Sequence, residues 1–445
     1  MPHSAPSRQP EFAFSVVSAA YNVEAWIGSF LQSIKAQSLD FKKYIQVIIV
    51  DDGSTDGTRA IAEGWADEHP ENIVYIHQEN KGVASARNTG LNFAQGAWVT
   101  FCDSDDFVCD TYFETVKTFL DSGFDGMLVV CNPIYFFEKT NSFSDTHWLR
   151  FKFQNGNTVV DLDQHPEYVQ FFVHSAFVQR KALLSSGLCF DERVRPSFED
   201  GHLLNKFLLL SGTRKVAMLK DALYFYRKHD TGKSLIASGW DTAEKYRDQI
   251  FYGYLDLVKL SEKKLGLVPP FIQQVVICDM YWYMKKFLNH SVPIEFSRKD
   301  FLDFLDIVHL LFVHIDAEQL LFSRLPLLSP LYRLAMLNIF KKMSLAFPVI
   351  VQEMSLNRKE ALVIGCTGGK SFFSFRSGEA VITPLWERVV RHRFRGMLLC
   401  AEHHFRLPLE GCLPLSCSVD GQAVAFLYKG EIFNALSAAV LLQEK

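Results

Sequence analysis

Two features are scarce in this 445-residue sequence: long uninterrupted apolar runs and any excess of basic charge. The most apolar stretch of helix length, Leu302–Phe322, is broken by Asp303, Asp306, His309, His314 and Asp316, too many polar groups for a bilayer-spanning helix. The first residues carry Arg8 and Glu11 and no apolar core before Phe12, which argues against a secretory leader. With 46 Lys and Arg against 50 Asp and Glu, the formal net charge is −4, so no global positive field favours a nucleic acid partner. The nine cysteines are odd in number and scattered, which fits free thiols in a reducing compartment better than a disulfide framework. Cys400, His403, His404, Cys412 and Cys417 come closest to a metal cluster, but their spacing matches no zinc module. Internal repeats and low-complexity segments are also missing. These absences leave a globular, cytoplasmic protein, compatible with a peripheral seat at the inner face of the cell membrane and with a homo-oligomer.

What is present is ordinary for a folded chain: 48% hydrophobic and 22% charged residues, enough for a sizeable core. The length predicts two or three domains. From residue 12 to about 132, strand-length runs (Phe14–Ser18, Ile45–Val50, Ile73–His77, Trp98–Cys102, Met127–Cys131) alternate with helix-like stretches (Glu24–Gln37, Thr55–Asp67, Val83–Ala94, Asp110–Leu120). That alternation predicts a parallel sheet covered on both faces, with its ligand beyond the carboxyl ends of the strands. The polar residues fall there: Ala20-Tyr21-Asn22, Asp51-Asp52-Gly53-Ser54 and Asp103-Ser104-Asp105-Asp106. Residues 236–345 read as helices with apolar residues three and four apart, and 346–445 as short alternating runs separated by turns, a small β-sandwich.

Two carboxylates on alternate residues at a strand end can share a hard divalent cation, which would bridge the phosphates of a nucleoside diphosphate. The same Asp103–Asp106 run can equally be a solvated acidic turn capping the helix near Asp110. Val50–Thr58 offers a turn glycine, caps and an acid able to accept from a base N–H, or is simply a strand-to-helix connection. In Asn80–Gly90, small residues at 82, 84 and 86 suit a helix lying close to a sheet, and Arg87 suits a base, a phosphate or an acid partner. Glu199-Asp200 precedes the helix-like Leu203–Leu210, as a catalytic acid pair or as an N-cap.

Taken in series, Ser18–Asn22, Asp51–Thr58, Gly82–Gly90 and Asp103–Asp106 resemble a family 2 inverting glycosyltransferase of GT-A fold, over about residues 12–235. The resemblance implies an α/β GT-A (Rossmann-like nucleotide-sugar-binding) domain at 12–235, a helical linker at 236–345 and an immunoglobulin-like β-sandwich at 346–445. That plan resembles bacterial teichoic acid and capsular polysaccharide enzymes. It implies that Asp52 contacts the uracil of a UDP-sugar, with Ala20, Tyr21 and Arg87 nearby. Asp105 would hold Mn2+ or Mg2+ with support from Asp103, and Ser104 would lie in the donor site. Asp200 would be the catalytic base, and Arg227, His229 and Ser234 would close over the diphosphate. The acceptor would be a polyhydroxylated glycan or polyol-phosphate, neutral or anionic. The family's acceptor-binding residues do not carry over to this chain, and His174-Ser175 with Arg180-Lys181 either border the acceptor pocket or serve ordinary surface and packing roles. In the C-terminal part, Trp386, Arg388, Arg391, Arg393 and Arg395 form a basic-aromatic strip that either guards a strand edge or grips an anionic polymer. A nucleotidyltransferase is the rival enzyme class, but Ser15–Asn22 lacks the glycine and basic residue of a phosphate loop. A non-catalytic glycan-binding scaffold is the rival for the C-terminal half.

Overall fold

The computed structural model describes residues 12–229, 238–292, 295–343, 348–355, 357–429, 431–437 and 440. Two compact units divide between Val275 and Val276, within the helix Pro270–Leu288. No helix among the described residues is long and apolar enough to cross a membrane.

The first unit is built as β1 (Phe14–Ala20), α1 (Ile27–Lys35), α2 (Phe41–Tyr44), β2 (Ile45–Asp51), α3 (Thr58–Glu68), β3 (Ile73–His77), α4 (Val83–Leu91) and β4 (Trp98–Phe101). There follow β5 (Phe107–Val108), α5 (Tyr112–Asp121), β6 (Leu128–Phe137), β7 (Ser142–Ser144), β8 (Thr158–Asp161), β9 (Ala176–Gln179), α6 (Arg180–Ser185), α7 (Glu199–Leu210) and β10 (Lys215–Lys228). The main strand order is β3-β2-β1-β4-β9-β6-β10-β5. β1 to β4 are parallel where they pair, and β1 and β2 are mainly apolar and almost wholly buried because both faces are covered.

One expectation needs correction: the sheet is mixed, not wholly parallel. β9 inserts antiparallel between β4 and β6, and β5 runs antiparallel to β10. The chain returns through residues 138–175, which hold the short strands β7 and β8 and loops rather than a helical crossover, and such a return can enter a sheet in the opposite sense.

α4 lies close against β1. A Cβ on Gly90 would come within 2.4 Å of Val17 Cγ1, so only glycine permits this approach. Gly82, expected to serve the same purpose, has open space beside it and instead adopts φ +92° to turn its N–H toward Asp52. Residues 243–265 support α7: His202 and Lys206 meet Asp256 at 2.8 and 3.1 Å, and Tyr254 packs on Phe198 at 4.3 Å between centroids.

The second unit contains the helices Arg298–Phe312, Ala317–Leu321 and Pro330–Ile339, then two sheets of six and four strands. Val349, Val363, Phe405 and Phe426 from one sheet and Phe375, Leu415, Cys417 and Val419 from the other share one core, which makes a β-sandwich. The expected basic strip lies mainly on Trp386–Phe394, an edge strand, with Trp386, Arg388, Arg391 and Arg393 exposed.

Candidate active site

Loops at the carboxyl ends of β1, β2 and β4 converge on one cleft. Residues 20–24 clasp residues 54–58: Asn22 N–H donates to Ser54 Oγ (3.0 Å), Val23 N–H to Thr58 Oγ1 (2.8 Å), and Thr55 N–H to Asn22 Oδ1 (2.8 Å). Ala20 is buried and Tyr21, next to it, is half exposed at the mouth. Asp52 is buried, accepting from Gln78 Nε2 (2.7 Å) and the backbone N–H groups of Lys81 (2.9 Å) and Gly82 (2.7 Å). It therefore fixes the loop that leads into α4.

Arg87, on α4, is buried and forms the hub. Nη1 donates to Asp200 Oδ1 (2.6 Å) and Glu199 Oε1 (3.1 Å), and Nη2 donates to Asp103 Oδ1 (2.9 Å). Of the partners open to it in the sequence, the structure gives Arg87 acids. Burial opposes its charge, but Asp200, Asp103 and Glu199 together push its pKa up. A planar guanidinium with several donors suits this task in a way an ammonium does not.

The Asp103–Asp106 run caps no helix, since the N-cap of α5 is Thr111 and no side chain caps it. Its members have separate surroundings. Ser104 Oγ donates to the Ala19 carbonyl (2.9 Å), joining this loop to β1. Asp106 is buried and accepts from Tyr224 Oη (2.8 Å) and Arg227 N–H (2.7 Å), which anchors β10; burial, then Asp105 and Asp103, raise its pKa well above the usual carboxylate range. Asp103 and Asp105 are the accessible pair, with side chains 32% and 33% exposed. Asp103 gives one oxygen to Arg87, and Asp105 gives one to His229 Nε2 at 2.7 Å, which leaves a second oxygen on each. Burial raises Asp103, Arg87 opposes this, and Asp105 adds to it. Among the described residues no three Asp, Glu, His or Cys side chains form a finished metal cage. Two neighbouring carboxylates of this kind nevertheless fit a hard cation that takes its remaining ligands from phosphate oxygens and water.

Asp200 lies in the first turn of α7 rather than at its cap. The N-cap position is Phe198, at φ +82°, with no side-chain cap bond. Gly201 and Gly253 make room for the Phe198 ring. Besides Arg87, Asp200 accepts from Val173 N–H at 3.3 Å through Oδ2. Burial pushes its pKa up to about 8, against the pull of Arg87 and with help from Glu199 and Asp103.

Arg227 and His229, expected at the diphosphate, both contact Asp105. Arg227 Nε donates to the Asp105 carbonyl (2.6 Å), and its guanidinium lies over Phe107 and Phe136. His229 packs against Trp26 with ring centroids 4.3 Å apart and the planes tilted by 52°, and its pKa is raised, first by the Asp105 hydrogen bond. Ser234 lies outside the described residues. His174 is buried between the Phe172 and Tyr224 rings, and Ser175 is buried beside it; Arg180 and Lys181 open α6. Sequence reasoning missed Glu138, which accepts from Trp26 Nε1 at 2.8 Å and pairs with Arg227 at 3.4 Å, and Tyr224, whose hydroxyl also accepts from Asp103 N–H at 3.1 Å. Neither stands in a motif. The alternation of Tyr224, Tyr226 and Lys228 along one strand was the available signal.

An α/β sheet with carboxylates at its strand ends, an arginine hub and a buried acid opposite is the architecture of a GT-A-type domain. Residues 15–187 match the family model "Glycosyl transferase family 2". Residues 15–187 thus carry a glycosyltransferase family 2 domain. The chain is 30% identical over 310 residues to the minor teichoic acid biosynthesis protein GgaB of Bacillus subtilis (strain 168), covering 69% of this chain and 33% of GgaB. It is 29% identical over 278 residues to GgaA of the same organism, covering 62% of this chain and 59% of GgaA. The chain thus spans between a third and three-fifths of these curated relatives. Among solved structures, S. aureus TarS 1-349 in complex with UDP-GlcNAc shares the fold at TM-score 0.55 and 19% identity, covering 74% of this chain and 87% of that one. The longer S. aureus TarS structure matches 93% of this chain and 77% of its own length at TM-score 0.56 and 15% identity.

Proposed function

We propose that the chain is an inverting glycosyltransferase that moves a sugar from a UDP-sugar to a hydroxyl of a teichoic acid or similar surface polymer. The observation that carries this reading is the Arg87 bridge. One guanidinium ties Asp103 on the donor side to Asp200, so the two carboxylates act in one cleft. The donor class is supported by the UDP-GlcNAc complex of a protein with this fold, and the acceptor class by the teichoic acid relatives.

Asp52, Ala20 and Tyr21 would receive the base, and Asp103 and Asp105 would hold Mn2+ or Mg2+. That ion, when bound, would offset the charge developing on the leaving diphosphate. Inversion needs no enzyme nucleophile. Asp200 takes the proton from the acceptor hydroxyl, the acceptor oxygen forms its bond to the anomeric carbon, and the bond to UDP breaks on the opposite face. A carboxyl raised by burial is suited to this proton transfer near neutral pH.

Release of UDP from UDP-sugars, with Mn2+ and a teichoic acid acceptor, tests the reading. Asp200→Asn should lower transfer by about 10²- to 10⁴-fold and leave UDP-sugar affinity nearly intact. Comparable turnover by that variant would remove Asp200 as the base, and failure of every UDP-sugar to bind would remove the donor assignment.

A further inference from the structure

One cation near the site, Lys228, has no anionic partner among the described residues. β10 is extended, so its side chains alternate: Phe225 and Arg227 pack against Phe107, whereas Tyr224 and Tyr226 face His174. Lys228 continues the second row. Its Nζ lies 4.4 Å from the ring centroid of Tyr135 and 4.3 Å from that of Tyr226. Among the described residues it makes no ion pair and no hydrogen bond. Asp106, the carboxylate that acts on it, is already committed to Tyr224 and the Arg227 backbone. Nearby His147 is pushed down to about 3 by burial and then by Lys152 and Lys228, so it stays neutral and adds no second positive charge.

This row leads to the proposed base. Val173 donates to Asp200, and the next residue, His174, has its ring 5.6 Å from that of Tyr226, over which Lys228 sits. Two aromatic faces can hold an ammonium in place while leaving its donors free. A part-buried cation held this way is only weakly screened by salt and should attract an anion strongly.

We propose that Lys228, flanked by Tyr135 and Tyr226, binds a phosphate of the acceptor chain close to the hydroxyl that Asp200 deprotonates. The proposal rests on the reading of Asp200 as the acceptor-side base. It makes Lys228 a determinant of specificity for polyol-phosphate acceptors over uncharged glycans, a role that no motif announces.

Binding can be measured on the full chain with an oligo(glycerol phosphate), an uncharged oligosaccharide and phosphatidylglycerol vesicles. UDP with Mn2+ is titrated separately. The wild type should bind the oligo(glycerol phosphate) more tightly than the uncharged oligosaccharide. Lys228→Gln should weaken that binding by about tenfold, the scale of one charge-assisted contact, while Lys228→Arg retains most of it. UDP affinity, which reports the donor site and an intact fold, should change less than about threefold by the same scale. Equal affinity of Lys228→Gln and wild type for the oligomer would overturn the proposal. So would a wild type that does not discriminate the oligomer from the uncharged sugar, or that binds only the vesicles. Loss of UDP binding by the wild type would instead overturn the donor-site reading, so the two failures are distinguishable.

Discussion

Replacing Arg87 with methionine should destabilise the first unit by about 3–5 kcal/mol, and the loss should grow as the pH rises. The Arg87 side chain is 6% exposed, and its partners Asp200 and Glu199 are 11% and 14% exposed. Asp103, at 32%, is better solvated and contributes less. Methionine keeps much of the packing volume but leaves three carboxylates without their cation. Burial already raises Asp200 to about 8 while Arg87 holds it down, so removing the guanidinium moves that pKa higher still. A carboxyl whose folded pKa exceeds its unfolded value holds more protons when folded, and its contribution to stability declines as pH rises between the two values. In the variant that decline extends beyond pH 8, where the wild-type carboxyl is already ionised and stabilised by Arg87. At low pH the acids are protonated, the wild-type guanidinium loses its partners, and the two proteins converge. Urea unfolding followed by tryptophan fluorescence suits the measurement, because Trp26, Trp65, Trp98, Trp148 and Trp240 all lie in the first unit. A deficit below about 1 kcal/mol at pH 8.5, the range of an ordinary surface pair, would refute the hub, as would a deficit that is flat from acidic to alkaline pH. Arg87→Lys should recover less than half of the loss, since one ammonium cannot reproduce the fork.

Two further outcomes follow from the same geometry. Transfer activity should rise with pH on its acidic limb, with a midpoint near 8, because Asp200 must lose its proton before it can act as a base; a profile flat from pH 6 to 9 would contradict this. Gly90→Ala should cost about 1–3 kcal/mol from overpacking, since its Cβ would meet Val17 Cγ1 at 2.4 Å and Val50 Cγ2 at 3.2 Å. Gly64→Ala, in open space on α3, should be neutral or stabilising by helix propensity, with both glycine variants compared by the same urea titration.

The first hundred residues were legible because their strands are buried on both faces and their helices on one. Continuous apolar runs such as Ile45–Val50 stand out between amphipathic stretches, and the observed strand adds only Asp51. β9 was not legible. Ala176–Gln179 has four residues, too few to establish a period, and its antiparallel insertion depends on a partner β6 that is distant in sequence. β10 was hidden differently: its 14 residues include a register shift between Leu219 and Leu223, with Lys220 and Asp221 interrupting the apolar pattern.

In the cleft, residue types were easier to read than partnerships. Asp52, Asp103, Asp105 and Asp200 can be picked from local context because each follows a strand or opens a helix, and Arg87 because it lies one turn into the small-residue helix α4. That Arg87 joins Asp103 to Asp200, across 113 residues of sequence, is a consequence of the sheet bringing α4, the β4 loop and α7 to one edge. Local spacing also cannot separate Asp105 from Asp106. They are adjacent and chemically identical, yet one is a third exposed beside His229 while the other is buried under Tyr224. Their different roles come from β10, which reaches the run more than a hundred residues later and covers one carboxylate while leaving its neighbour open. A motif therefore supplies two equivalent acids, and the strand that crosses it assigns one to anchor the fold and leaves the other available to a cation.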